Sequence, residues 1–248
     1  MHSLYRAARV TFVAASLVGV AACAGDGVNG PGATFTVHGS AGAPPVSGNR
    51  LVRNALLVGA SSNIPPEFLV GDPAKVGIGM YALYLSENED CSAPVLVDDN
   101  GVTPVDKDFV THPVLFSGTP AAGTYKCVIF RMSDVVHFQS ATASPNCHLD
   151  TDYAIDIYRD PDTDWRDINV DTIYGTGTDA SPSDDKVYLF ASTDPAAVEA
   201  RGMSPNQTLQ LTGALTVPGS GTFYWDGTGS ITDDGTACGM EPPQLSFR

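Results

Sequence analysis

Residues 76–85 read Val-Gly-Ile-Gly-Met-Tyr-Ala-Leu-Tyr-Leu, the most apolar run in the chain beyond Arg50. Gly71-Asp-Pro73 precedes it and Ser86-Glu-Asn-Glu-Asp90 follows it, so turn-forming and charged residues set its limits. Side chains of a strand alternate between its two faces. Sorted that way, both faces of 76–85 are apolar, which predicts a central strand buried on both sides.

The neighbouring runs repeat this pattern. Ala55–Gly59, Pro94–Asp98, Phe109–Phe116, Gly123–Arg131, Val135–Gln139, Tyr153–Tyr158 and Lys186–Ala191 each read as a strand between turn residues. Leu209, Leu211, Leu215 and Val217 share a face opposite Thr208, Gln210, Thr212 and Thr216, the pattern of one half-buried strand. Asn100-Gly101 follows Pro94–Asp98, and Asp226-Gly227 follows Phe223-Tyr-Trp225; both dipeptides are hairpin signals. Only Asp194–Arg201 reads as helix, with Asp194 as N-cap, Pro195 in the first turn and Gly202 just past the end. About eleven short strands with almost no helix predict an all-β fold, an antiparallel β-sandwich occupying residues 50–248.

Gly123-Thr-Tyr-Lys-Cys127 resembles a strand of immunoglobulin-like domains, in which a tyrosine stands two residues before a cysteine. The resemblance covers five residues and lacks the upstream cysteine and tryptophan of that family. It implies a fold class only.

The N-terminus carries an address. His2, Arg6 and Arg9 make a basic start, and Val10–Ala22 is a mostly apolar segment of 13 residues. A bilayer core takes about 20 apolar residues, so this segment is a secretory signal and not a span. Its end, Val20-Ala-Ala-Cys23, resembles the lipobox of bacterial lipoproteins. That resemblance implies cleavage after residue 22 and acylation of Cys23, giving a chain held to the membrane by its N-terminal lipid. Ala24 is not the Asp that retains such proteins on the inner membrane, so the outer membrane of a Gram-negative cell is implied, with the domain on its periplasmic or surface side. Residues 23–49, rich in Gly, Ala, Pro and Ser, read as a flexible tether. Within them Thr34-Phe-Thr-Val-His38 alternates and fits an edge strand.

With Cys23 assigned to lipid, Cys91, Cys127, Cys147 and Cys238 remain. An even number in an exported chain reads as two disulfides, with three possible pairings. Cys91 follows one strand-like run and Cys127 lies in another, which favours Cys91–Cys127 with Cys147–Cys238. Zinc is the rival, but the chain has no C-x-x-C and no histidines at ligand spacing.

Residues 1–22 hold two arginines and no acid, so the mature chain carries 11 Lys and Arg against 28 Asp and Glu, a net of −17. Phosphate backbones repel such a chain, which excludes nucleic acid as a partner. It also disfavours anionic lipid, leaving the acyl chains as the membrane contact.

Two stretches suggest ligands. Asp160, Asp162, Asp164 and Asp167, with Asn169 and Asp171, resemble the alternate-carboxylate opening of calcium loops, Asp171 standing twelfth. Trp165 occupies the position where the sharp turn needs Gly, and Asp171 is shorter than the usual bidentate Glu. The competing reading is a solvated acidic loop partly neutralised by Arg159 and Arg166. Trp165, Trp225, Tyr224 and Tyr158 are candidates for stacking on a glycan. There is no G-x-S-x-G, H-E-x-x-H, phosphate loop or dinucleotide fingerprint, and His38, His112, His137 and His148 show no motif spacing. The expectation is a binding or structural module of the cell envelope, whose partner is an envelope protein or a glycan. A calcium-dependent binding domain and a glycan-binding or glycan-degrading protein are the alternatives.

Overall fold

The structure, a computed structural model, describes residues 33–42, 68–156, 165–166, 173–174, 186–203, 208–240 and 244–248. Its strands are β1 (Phe35–Ala41), β2 (Leu69–Gly71), β3 (Pro73–Ser86), β4 (Val95–Asp99), β5 (Val105–Asp108) and β6 (Val114–Gly118). There follow β7 (Gly123–Tyr125), β8 (Cys127–Ser140), β9 (Tyr153–Asp156), β10 (Trp165–Arg166), β11 (Ile173–Tyr174) and β12 (Lys186–Ser192). After the short helix α1 (Pro195–Glu199) come β13 (Thr208–Gln210), β14 (Leu215–Val217), β15 (Gly219–Asp226), β16 (Ile231–Asp233), β17 (Cys238–Met240) and β18 (Gln244–Phe247). The fold is all-β.

β3 and β8, each 14 residues long, pair antiparallel as the spine of a seven-stranded sheet. The 76–85 run is its middle. Register shifts around Met80 change the inward-facing set from Val76, Ile78 and Met80 to Leu83 and Leu85. Tyr81 and Ala82 lie outside that core cluster yet are equally buried, so the strand is covered on both faces. β8 merges two runs that read as separate strands, because Ser133 accepts the Val135 N–H through its hydroxyl and carries the strand through the interruption.

The facing sheet has four strands in the order β18-β15-β1-β6. Phe130 of β8 joins the two sheets: its ring stacks on Phe223 of β15 at 4.8 Å, meets Phe247 of β18 edge-on at 5.3 Å and lies 6.5 Å from Phe116 of β6. Phe109 completes the cluster against Phe223 and Trp225. Packed aromatic faces of this kind are what a two-layer β fold buries as its core.

Five expectations are corrected. The tether does not extend through residue 49 and the domain does not begin at 50, because β1 is an inner strand. It runs parallel to β15 and antiparallel to β6, with Phe35 and Val37 fully buried. Alternation decided its fate over the Gly- and Pro-rich composition around it. The sheets are also not purely antiparallel, since β1–β15 and β12–β13 run parallel.

Neither hairpin signal makes a hairpin. β4 and β5 run in the same direction along β3, opposite residues 82–85 and 77–80, and Asn100-Gly101 sits in a short excursion between them. The backbone N–H of Asn100 donates to Tyr81 O (2.7 Å) and its Nδ2 to Met80 O (2.8 Å), binding the turn to β3 where a reversal was expected. Asp226-Gly227 is a corner: β15 ends there and β16 joins β2 and β17 in a separate three-stranded sheet. Finally, Leu209–Val217 is two strands. Residues 211–214 carry no ladder, so β13 pairs with β12 while β14 pairs with β7. Phe109–Phe116 likewise begins as a 3-10 turn capped by Asp108, and only its second half is strand. The helix forms as read, Asp194 accepting the Ala197 N–H through its carboxylate.

Candidate functional site

Cys91 bonds to Cys127 and Cys147 to Cys238, with Cα separations of 5.3 and 4.8 Å, inside the range a disulfide spans. The first bridge exists because β3 and β8 are antiparallel neighbours. Ser86 at the end of β3 faces Cys127 at the start of β8, which brings the loop after β3 within reach. Tyr125 donates its hydroxyl to Ala121 O (2.8 Å), the backward bond that a tyrosine makes at the corner of immunoglobulin-like strands. The bridge itself departs from that family, since Cys91 lies in the loop following β3.

Beside the second bridge sits the tightest carboxylate of the described residues. Asp233 accepts from Asn146 Nδ2 (2.7 Å), Ser144 Oγ (2.6 Å), Asn146 N (2.9 Å) and Gly235 N (3.0 Å). The side-chain bonds from Asn146 and Ser144 hold its carboxyl far below the ordinary carboxylate range. All four bonds come from the protein, so Asp233 is a structural knot between the 141–150 loop and the β16–β17 hairpin.

On the outer side of the large sheet, Arg131 pairs with Asp99 (3.1 Å), while Arg131 and Lys186 lie 5.9 and 5.1 Å from the centre of the Tyr81 ring. These contacts cover the second face of β3 with cations over an aromatic ring.

The sequence-expected ligand residues fare differently. Cys23 and Asp160, Asp162, Asp164, Asp167 and Asp171 lie outside the described residues. β9 and β12 both run along β8, opposite residues 135–138 and 127–133, and residues 157–185 connect them in the chain. Among the described residues no three His, Cys, Asp or Glu side chains gather as a metal site. Trp225 is corrected as a stacking platform: it is fully buried against Phe109, placed there because alternation along β15 turns Phe223 and Trp225 inward. Tyr224 is half-buried on the other face, and Tyr158 lies outside the described residues.

What the sequence did not single out is an exposed apolar strip in the 95–114 segment. Of the eight large apolar residues exposed among the described residues, six fall within 95–114: Val95, Leu96, Val102, Val105, Val110 and Val114. They sit on β4, on the 100–104 excursion, on β5, on the 3-10 turn and on β6. β4 and β5 pair only with β3, and β6 pairs only with β1, among the described strands, so one edge of each sheet falls in this segment; the other edges are β13 and β18.

The strip is built, not frayed. Asn100 ties the excursion to β3, and Gly79 leaves room for Pro104, whose Cβ would stand 2.7 Å from any Cβ at position 79. Val102 is thereby presented at 85% exposure on an anchored turn. Gly118 lets β6 approach β4 in the same way, since a Cβ there would meet Val97 O at 2.1 Å, and Ser117 N donates to Asp98 Oδ2 (2.9 Å). The only advance signal was Val95-Leu-Val97, apolar on both faces, a pattern shared by buried central strands and exposed edges alike.

The chain matches no protein-family model, no curated protein and no solved structure.

Proposed function

We propose that the chain is an exported lipoprotein, held to the outer membrane through acylated Cys23, whose β domain is a binding or structural module of the cell envelope. The observation that carries this reading is the cysteine arrangement. All four cysteines beyond Cys23 are consumed in two buried or half-buried bridges, which fits an oxidising compartment and leaves Cys23 as the single thiol, directly after Val20-Ala-Ala22. The exposed strip on anchored turns supports binding as the domain's work, because apolar groups held rigidly in water are a feature of interaction surfaces.

Fractionation tests the reading. The wild-type protein is expected in the membrane fraction and the Cys23→Ser protein, processed or not at the altered site, out of its detergent-released lipoprotein pool. Equal distribution of the two would remove the anchor. Calcium binding by the 160–171 insertion is the alternative reading, supported by carboxylate spacing. It requires the melting midpoint to rise with millimolar calcium, by about 2.7 kcal/mol of stability at a hundredfold excess over Kd; an unmoved midpoint would dismiss it.

A further inference from the structure

We infer that Asn100-Gly101 is a latent deamidation site: it stays intact while residues 100–104 are docked on β3, converts to Asp or isoaspartate when they lift away, and once converted no longer lets them dock. The inference concerns this turn alone and stands apart from the anchor at Cys23.

The sequence supplies the chemistry. In an Asn-Gly pair the glycine nitrogen attacks the preceding carboxamide with no Cβ to obstruct it. The chain has two such pairs, Asn29-Gly30 and Asn100-Gly101, and the first lies outside the described residues. At the second, a bond forms between Gly101 N and Asn100 Cγ, the Cγ–Nδ2 bond breaks, and the amide proton leaves with Nδ2 as ammonia. Water then opens the cyclic imide at either carbonyl, giving Asp or isoaspartate. Gly101 is exposed at φ +84°, and a Cβ there would meet nothing within 4 Å, so water reaches the turn.

The fold holds both reacting groups elsewhere. Asn100 Nδ2 donates to Met80 O (2.8 Å), which turns the carboxamide toward β3. Gly101 N donates to Asp99 Oδ1 (2.8 Å), itself held by Arg131 Nη2 (3.1 Å). Asn100 N adds a bond to Tyr81 O (2.7 Å). Ring closure needs Nδ2 off Met80 and Gly101 N off Asp99, so the reaction passes through an opened turn and its rate follows the population of that state. Gly101, Val102 and Thr103 are all exposed, so the opening is local: these bonds and the seat of Pro104 over Gly79 oppose it, not a buried core.

Conversion prevents redocking. A carboxylate at position 100 has no N–H for Met80 O and adds negative charge beside Asp98 and Asp99. Isoaspartate also lengthens the backbone by one atom, which moves Gly101 N off Asp99. Either product leaves Val102 on a turn no longer tied to β3 and so alters the exposed 95–114 segment irreversibly.

The test holds the full mature chain with Cys23→Ser in mildly alkaline buffer, and peptide mapping follows Asp and isoaspartate at position 100 separately from position 29. Native protein is expected to convert at Asn100 about tenfold or more slowly than the same chain unfolded in urea, and at a rate unmoved by sub-denaturing urea. Asp99→Ala, which frees Gly101 N, is expected to convert severalfold faster than the parent chain while still unfolding cooperatively. Asn100→Asp, a stand-in for one product, is expected to lose hydrogen-exchange protection at residue 100 while both disulfides stay intact. Equal rates in native and unfolded chain, no conversion in the unfolded chain, a native rate that climbs with urea as global stability falls, an Asp99→Ala rate equal to the parent's, or full protection in Asn100→Asp would each overturn the inference.

Discussion

A chain that begins at residue 50 keeps every strand except β1, and its fate tests how the facing sheet is held together. β1 contributes Phe35 and Val37, both fully buried, and ladders on two sides: seven residue pairs to β15 and four to β6. Full burial of each such side chain is worth about 1.5–3 kcal/mol, so the two together supply about 3–6 kcal/mol. Each lost ladder bond removes a further ~0.5–1.5 kcal/mol net, and the edges of β15 and β6 are left open inside the sheet. Domain stabilities of about 5–15 kcal/mol cannot absorb losses of this size. The assay is urea unfolding followed by circular dichroism and tryptophan fluorescence, comparing residues 33–248 with residues 50–248. The longer chain is expected to unfold in one cooperative transition. The shorter one is expected to show none, with Trp225 solvent-exposed from the start, since its neighbour across the ladder is Ala41 of β1. A cooperative transition of the 50–248 chain at the same midpoint would refute the placement of β1.

The remaining predictions concern the core, the bridges and acid. Trp225→Ala is expected to cost about 3–5 kcal/mol in urea unfolding, the penalty of emptying a large core site; a change near zero would return Trp225 to the surface and revive a stacking role. The loops closed by Cys91–Cys127 and Cys147–Cys238 span 36 and 91 residues, and chain-entropy scaling gives about 4 and about 5 kcal/mol for them. Reduction of both is expected to unfold the domain at 37 °C, and alkylation of all four thiols without denaturant after reduction reads this out; a folded reduced protein would contradict it. The carboxyl of Asp233 is depressed when folded, so the unfolded chain takes up its proton more readily. Its contribution is complete above the ordinary carboxylate value of 3.8 and is lost as pH falls toward the lower folded value. The melting midpoint is expected to hold from pH 7 to about pH 5 and to drop below about pH 4, and Asp233→Asn is expected to lower the neutral midpoint while flattening the acid limb. An acid limb unchanged in that variant would show that other carboxylates govern it.

The fold was readable where a residue's environment is local. Val76–Leu85 announced a strand covered on both faces, and the Asp194-Pro195 start with Gly202 beyond announced the helix, because propensity and capping are written within a few residues. The order of Cys91 and Cys127 about two apolar runs carried the pairing for the same reason. Pairing partners were not readable. Asn100-Gly101 and Asp226-Gly227 supply positive φ or a polar turn equally well to a hairpin, an excursion or a corner, and only the hydrogen bonds of Asn100 to Met80 and Tyr81 decide between them. β1 was obscured by its Gly- and Pro-rich surroundings, although Phe35 and Val37 alternate as a buried strand should. The candidate strip was hidden because Val95-Leu-Val97 looks the same in sequence whether a neighbour covers it or not; exposure is set by the strand order.

Metabolic labelling with an alkyne fatty acid tests the central claim most directly, because it reads the bond between Cys23 and lipid. The wild-type chain is expected to take up label and Cys23→Ser to take up none, while both retain the Cys91–Cys127 and Cys147–Cys238 bridges on non-reducing gels. Label on Cys23→Ser, or none on the wild-type chain, would contradict the account.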